Sequence, residues 1–304
     1  MTYSIVLVAA LVVLSAGCHS SSGGDTSSPG SGGAGGAPST ACSGAVLFGR
    51  PVAKTGLDDT QCQPRCDSCG GAPFEAPLYG QSDVDAMLSW KQTDAPGALS
   101  ADPYAQPAPA PGSADELCAV VPAADGTKTY SVATFPSVAA AMAAGATPTH
   151  YGACGLCSSL ANLAVYMKYP DLTGPVRDCG VKGLNGDEAA QLACIEALGF
   201  EHPCAQIWSY NTDHTRAACL DVCIANIAAK YQTEDGALNP CLQCDEDQSG
   251  PVFKAVAGRT RRNTGIASAL CRPCTEVRPL LHDYKTRLVG RPRSARPFRG
   301  CRGG

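Results

Sequence analysis

Apolar positions are distributed very unevenly along this chain. Residues 5–14 (IVLVAALVVL) form one unbroken apolar run, and His19 to Thr40 is a Gly/Ser tract with no apolar period. From there to about residue 113 apolar residues are scattered among Gly and Pro. Asp83 to Trp90 has the spacing of a short helix, whereas Thr93 to Ser113 (TDAPGALSADPYAQPAPAPGS) reads as a surface excursion or internal linker. Alternation over Thr127–Thr134 predicts a strand, and an alanine-rich helix follows from about Pro136 to Ala144, ended by Gly145. In the next stretch, His150 to Met167 (HYGACGLCSSLANLAVYM), Leu156, Leu160, Leu163 and Met167 recur at helical spacing. They predict a buried stripe on a helix that opens at Cys154 and Cys157 and stops at Pro170. A further helix is predicted from Asn185, with Asn185 and Glu188 at capping-box spacing and Gly199 at the C-terminal cap. Another runs from about Thr212 to Tyr231, with Leu220, Cys223, Ile224, Ile227 and Tyr231 as its apolar face, and a last one from Pro251 to near Gly265.

Composition adds a compartment to this pattern. The 304 residues include 18 cysteines, 33 glycines and 23 prolines, with only 6% aromatic and 16% charged residues and a formal net charge of −4. So many cysteines exclude an ordinary protein of the reducing cytosol and point to disulfides that offset a shortage of large core side chains. The apolar run over 5–14 suits a signal peptide and is short for a membrane span. Ser15-Ala16-Gly17-Cys18 resembles the lipobox of bacterial lipoproteins, which implies lipidation of Cys18 and a mature chain that begins there. The expected organisation is a signal over 1–17, a lipidation site and flexible tether over 18–41, a cysteine-rich domain over 42–284 and a basic disordered tail over 285–304. Its fold class is mainly α: a disulfide-rich globular domain with few short strands behind the lipoprotein-type signal and tether.

Candidate chemistry centres on the cysteines. At a helix start, amide N–H groups and the helix dipole favour a thiolate. Cys154-Gly-Leu-Cys157 therefore resembles the C-x-x-C of thioredoxin-like proteins, and Gly152-Ala-Cys-Gly-Leu-Cys157-Ser resembles the segment around the papain-type nucleophile. The first implies thiol–disulfide exchange and the second a hydrolase using Cys157. A metal held by His150 and the two thiolates is a third reading, and a structural role for both cysteines a fourth. His214, beside Asp213, is placed near a helix N-terminus, where an imidazole stays neutral and can act as base or ligand. Cys62, Cys66 and Cys69 have the C-x3-C-x2-C spacing of radical-SAM clusters, but export and the lack of alternating strands and helices favour a disulfide knot.

Asp245, Asp247, Ser249 and Gly250 resemble the opening of an EF-hand-type calcium loop, although Val256 stands where the bidentate Glu is needed. Calcium is the one cofactor left open, and none is otherwise expected. Cys241/Cys244 and Cys271/Cys274 would suggest zinc in the cytosol and disulfides outside it. Cys219 and Cys223, one turn apart, are expected to staple their helix to two neighbours. Without Cys18 the cysteine count is odd, so one thiol is expected to be left over. The arginines of Gly258–Gly265 (GRTRRNTG) are assigned to a helix-end dipole, with an anion-binding patch as the alternative.

From Lys254 onward the chain carries thirteen Lys or Arg against two acidic residues, so an anionic surface polymer is a candidate partner and nucleic acid is not expected. Together these features describe an exported, lipid-anchored binding or structural module of the bacterial cell envelope, facing periplasm or exterior. The alternative is a thiol-centred enzyme using Cys154 and Cys157 with His150 or His214.

Overall fold

Short-range alternation and turn chemistry produce the largest of three sheets in the computed structural model, which describes residues 47–69, 72–110 and 112–285. Strands β1 (Leu47–Phe48), β2 (Cys62–Gln63), β3 (Arg65–Cys69) and β4 (Ala72–Glu75) come first, then α1 (Gln81–Leu88) and β5 (Lys91–Gln92). β6 (Leu117–Pro122) and β7 (Thr129–Phe135) form a hairpin whose turn is fixed by Asp125, which accepts hydrogen bonds from Thr127 N and Thr127 Oγ1. After α2 (Val138–Ala143), β8 (Thr147–Tyr151) pairs on the other side of β6, giving the order β5-β7-β6-β8. β6 is buried on both faces. Leu117 and Ala119 pack with Ala141 and Ala146 under α2, while Val120 points into the main core with Tyr130. Strands of six and seven residues make this sheet a larger element than the few short strands the sequence predicts.

After β8 the described chain is mainly helical. α3 (Leu160–Lys168) is capped by Ser159, whose Oγ accepts from Asn162 N, and buries Leu160, Leu163 and Met167 as the stripe predicts. Cys154 and Cys157 precede it in a loop, because β8 extends through His150 to Tyr151. α4 (Thr173–Lys182) is a helix the sequence does not announce, since Gly174, Pro175 and Gly180 give it low propensity. Val176 buries one face of it and the Cys179–Cys194 disulfide ties it to α5 (Glu188–Ala197), which Asp187 caps rather than Asn185. α6 (His202–Ala225) starts about ten residues before the expected point, with Pro203 in its first turn where the missing N–H breaks no helical bond. α7 (Pro240–Gln248) and α8 (Gly250–Ala257) follow, and Gly258 separates α8 from the short α9 (Arg261–Thr264), so the last predicted helix is broken in two. β9 (Arg272–Pro273) then pairs antiparallel with β1. The Pro/Ala-rich stretch is an excursion, tied down where Tyr104 reaches α6 and α8. All described residues belong to one compact unit.

Seven disulfides cross-link the described residues. Cys62–Cys271 and Cys66–Cys274 clip the first strands to the end of the domain across sequence separations of 209 and 208. The first such link removes a very long loop from the unfolded chain, worth up to about 5 kcal/mol, and the second closes only a small extra loop, so its main effect is to fix orientation. Cys219–Cys244 and Cys223–Cys241 both join α6 to α7, a double clamp on one neighbour where two were expected. Cys18, Cys42 and Cys301, the signal, the tether and the basic tail lie outside the described residues, as does the question of a left-over thiol.

One buried cation joins the sheet to the helices. Arg259 is 0% exposed, and no ion pair among the described residues involves it. Its Nε donates to Cys157 O at 2.9 Å, Nη1 to Thr149 O at 2.9 Å, and Nη2 to Thr149 Oγ1 at 2.7 Å and Ser158 O at 3.0 Å. Beside it, Gly155 and Gly258 let two backbone segments touch. A Cβ on Gly155 would lie 2.5 Å from Val256 O, and one on Gly258 would lie 2.6 Å from Gly155 N. Leu156 N and Cys157 N accordingly donate to Val256 O and Ala257 O. Arg259→Met strands several buried carbonyls, each costing about 1–3 kcal/mol when unsatisfied. It is expected to lower unfolding stability by about 3–5 kcal/mol in chemical denaturation of the oxidised protein, whereas a loss below about 1 kcal/mol would show that the guanidinium is replaceable.

Candidate functional site

The sequence-predicted catalytic residues do not form a thiol site. Cys154 is bonded to Cys118 on β6, and Cys157, 0% exposed, to Cys204 at the start of α6. Neither presents a thiolate, and neither lies at a helix N-terminus. The C-G-L-C spacing serves a loop whose glycine must slide past Gly258. His150 is wholly buried, and both its ring nitrogens are taken by other partners. Its Nδ1–H donates to Tyr151 O at 3.0 Å, and Nε2 accepts from Ser158 Oγ at 2.7 Å. Burial, reinforced by the Arg259 charge, holds its pKa well below the usual imidazole value. It is therefore a neutral structural group.

His214 lies in the middle of α6 rather than near its start. Its ring stacks on Tyr104 with centroids 4.3 Å apart, and Nδ1 lies 3.0 Å from Ser249 Oγ. Asp213 does not support it, since that carboxylate accepts from Gln191 and pairs with Arg216. The calcium-loop resemblance fails for a geometric reason: Asp245 and Asp247 stand on α7, and side chains two apart on a helix diverge. Asp245 Oδ1 accepts from Asn211 Nδ2 and Thr215 Oγ1, Asp247 accepts from Gln243 on the exposed side, and buried Ser249 bonds Thr215 and His214. Among the described residues no group of three or more His, Cys, Asp or Glu side chains is placed to hold a metal ion. The cysteines of the two paired C-x-x-C motifs take four separate disulfide partners.

What the helices do build is a cleft of about 630 Å³ between α4, α6, α7 and α8, closed at one end by residues 260–272. Its lining is mostly apolar. Tyr166, Trp208 and Phe253 form a floor, with Trp208 and Phe253 packed edge to face at 4.7 Å. Leu220 and Ile224, at 44% and 59% exposure, line it from the outer half of α6, and Ile227, at 62%, from the turn just after that helix; Val181 and Leu184 line it as well. The helix ends at Ala225 rather than near Tyr231, so only part of the predicted face lies on it: Leu220 and Ile224 are exposed, Cys223 is bonded to Cys241, and Tyr231, beyond the helix, is buried. Only the position of that face at i, i+4 and i+7 was legible in the sequence; α4, the opposite wall, was not.

The polar groups of the cleft are grouped by charge. Glu246 takes Lys254, Arg262 and Arg272, and Arg262 also pairs with Glu276. Burial opposes the charge on Glu246, yet Arg262, Lys254 and Arg272 hold its carboxyl down at about 2. Asp245 is pushed upward chiefly by burial, against which its bonds from Thr215 and Asn211 and the more distant Lys254 only partly act. Arg261 donates to Tyr166 O and Tyr169 O at the end of α3, so the three arginines of the GRTRRNTG stretch serve three separate purposes rather than one helix end. The Tyr166 hydroxyl and the Trp208 indole nitrogen are both buried, and the indole N–H acts on the phenol oxygen.

A family model described as a family of unknown function, DUF8771, matches residues 188–279, the stretch from α5 through β9 that supplies three of the four cleft helices. No curated protein and no solved structure matches the chain.

Buried neutral histidines give this domain a defined acid response. Burial lowers His282 to about 3, and its ring is bonded to Thr264 O and Tyr284 OH. His150 shifts in the same direction. Groups depressed in the fold leave stability intact above the unfolded value of about 6.5 and withdraw it as pH falls toward the folded value. Urea unfolding at pH 7.5, 6.5 and 5.5 is expected to show a plateau and then a loss of about 2–3 kcal/mol per pH unit below 6.5 from the two rings together, with a flat profile as the contrary result.

Proposed function

We propose that this protein is an exported, lipid-anchored binding module of the bacterial cell envelope whose cleft takes an elongated apolar small molecule. The observation that carries the reading is the 630 Å³ cleft with unpartnered Leu220, Ile224 and Ile227 at its wall. Its volume falls within the range of about 300–1,000 Å³ typical of small-ligand sites. A chain laid there would gain about 0.8 kcal/mol for each methylene buried, before the costs of association. The disulfide density of the domain fits an oxidising extracellular compartment, and among the described residues no helix is long and apolar enough to cross a membrane. Anchoring at Cys18 and contact of the basic tail with an anionic surface polymer rest on the sequence. With Cys154 and Cys157 both in disulfides, no observation favours the thiol-enzyme alternative.

Nile red, a neutral apolar dye, tests the cleft directly. Saturable binding with enhanced emission is expected for the oxidised protein, weakened about ten-fold or more by L220E/I224E, a difference worth about 1.4 kcal/mol. Both residues are exposed, so the denaturation midpoint of the variant should stay near that of the parent. Absence of saturable dye binding would end this reading. Separately, mass spectrometry of the mature N-terminus is expected to find acyl chains on Cys18, and an unmodified Cys18 would remove the anchor.

A further inference from the structure

A polar station interrupts the apolar lining midway along α6. Asn211 and Thr215 line the cleft there, between Trp208 and Leu220 of the same helix, and Asp245 of α7 meets them. Asp245 Oδ1 accepts from Asn211 Nδ2 and from Thr215 Oγ1. Thr215 spends its hydroxyl proton on this carboxylate, so in its 2.7 Å contact with Ser249 Oγ it is the acceptor. The Ser249 O–H thus points to Thr215, and an N–H on His214 Nδ1 completes the 3.0 Å contact with Ser249 Oγ. Tyr104 OH donates to Asn211 Oδ1, which leaves the amide nitrogen of Asn211 for Asp245. Every bond along the chain from His214 through Ser249 and Thr215 therefore runs toward one carboxylate.

The other oxygen of that carboxylate is left without a donor. Asp245 Oδ2 takes no hydrogen bond among the described residues, and no ion pair among them includes Asp245. Nor is Oδ2 one of the buried atoms closed off without a partner. On a side chain that lines the cleft and whose charge burial disfavours, it is an acceptor open to the cleft. The charge of the surroundings narrows what can meet it. Arg177, Arg216, Lys254, Arg261, Arg262 and Arg272 line the cleft against Asp171, Asp245 and Glu246, which opposes a cationic ligand. A carboxylate placed here would face Asp245 itself. An uncharged donor avoids both repulsions.

We infer that the apolar ligand of the cleft carries a hydroxyl group, donated to Asp245 Oδ2 at the Asn211 and Thr215 station between the aromatic floor and Leu220. The inference rests on the apolar-ligand reading of the cleft and adds a polar anchor to it. A hydrogen bond to a charged acceptor is stronger than one between neutral groups, and an ether oxygen in the same place would set its lone pairs against those of Oδ2.

Displacement of Nile red from the full oxidised chain by decan-1-ol and by its isomer 1-methoxynonane tests the anchor, since the atoms are the same and only the alcohol has a donor. Decan-1-ol is expected to displace the dye at concentrations about ten-fold lower than the ether, and lower than decylammonium or decanoate requires. In D245N the donors from Asn211 and Thr215 hold the side-chain oxygen and turn the amide nitrogen toward the cleft. That nitrogen donates to alcohol and ether alike, so the advantage of the alcohol is expected to fall to about two-fold or less. Equal potency of alcohol and ether in the parent protein, a better result for either charged analogue, or an undiminished preference in D245N would overturn the hydroxyl assignment while the apolar cleft stands. The comparison in the parent protein decides the assignment even if D245N does not fold. Failure of Nile red itself to bind would overturn the cleft reading, and this inference with it.

Discussion

The constraint on which the cleft depends is the pair of disulfides that holds α7 along the outer half of α6. Cys219 and Cys223 are one turn apart on α6, Cys241 and Cys244 nearly so on α7, and the links run antiparallel between them. The buried side chains of α6 are concentrated in its first turns, with Cys219 a late exception. A helix with so little buried surface is weakly held by packing alone. Covalent clamping lets it stand away from α4 with Leu220, Ile224 and Ile227 uncovered, and so keeps a concave surface open where an ordinary core would collapse.

A second set of constraints keeps the floor of the domain fixed beneath that cleft. The Cys157–Cys204 link joins the loop before α3 to the start of α6, and Glu201 reinforces it by accepting from Ser159 Oγ and Asn162 Nδ2. Arg259 ties the same loop to β8, donating to Cys157 O and Ser158 O of the loop and to the carbonyl and hydroxyl of Thr149 on the strand. A buried guanidinium answered by backbone dipoles rather than a carboxylate carries a desolvation cost, and its burial lowers its pKa to about 10 while leaving it charged at neutral pH. Such an arrangement holds only when every donor is met. It is therefore more a determinant of local geometry than a reserve of stability.

Much of the secondary structure was legible in the sequence, because local periodicity encodes it: the β7 strand, the Leu160–Met167 stripe and the helical character after residue 136 all appear. The function of the C-x-x-C stretch was not. Gly155 reads as a spacer between reactive cysteines until Gly258, about a hundred residues away, is seen against it. Asp245, Asp247 and Ser249 have loop-like spacing, but Pro240 in the first turn and the Asn239 cap start a helix that carries them apart. The cleft was hidden for a related reason. An apolar stripe in sequence says that a face avoids water without saying what covers it, and the wall opposite, α4, has helix-breaking residues held in place by Cys179–Cys194.

Trp208 lies on the cleft floor and Trp90 in the main core, and they are the chain's two tryptophans. Intrinsic fluorescence of a Trp90→Phe variant therefore reports from the cleft alone. Titrating it with Nile red is predicted to give a saturable quenching of Trp208 emission, lost when the disulfides are reduced and α6 is released from α7. An emission spectrum that does not change across the titration would contradict the account.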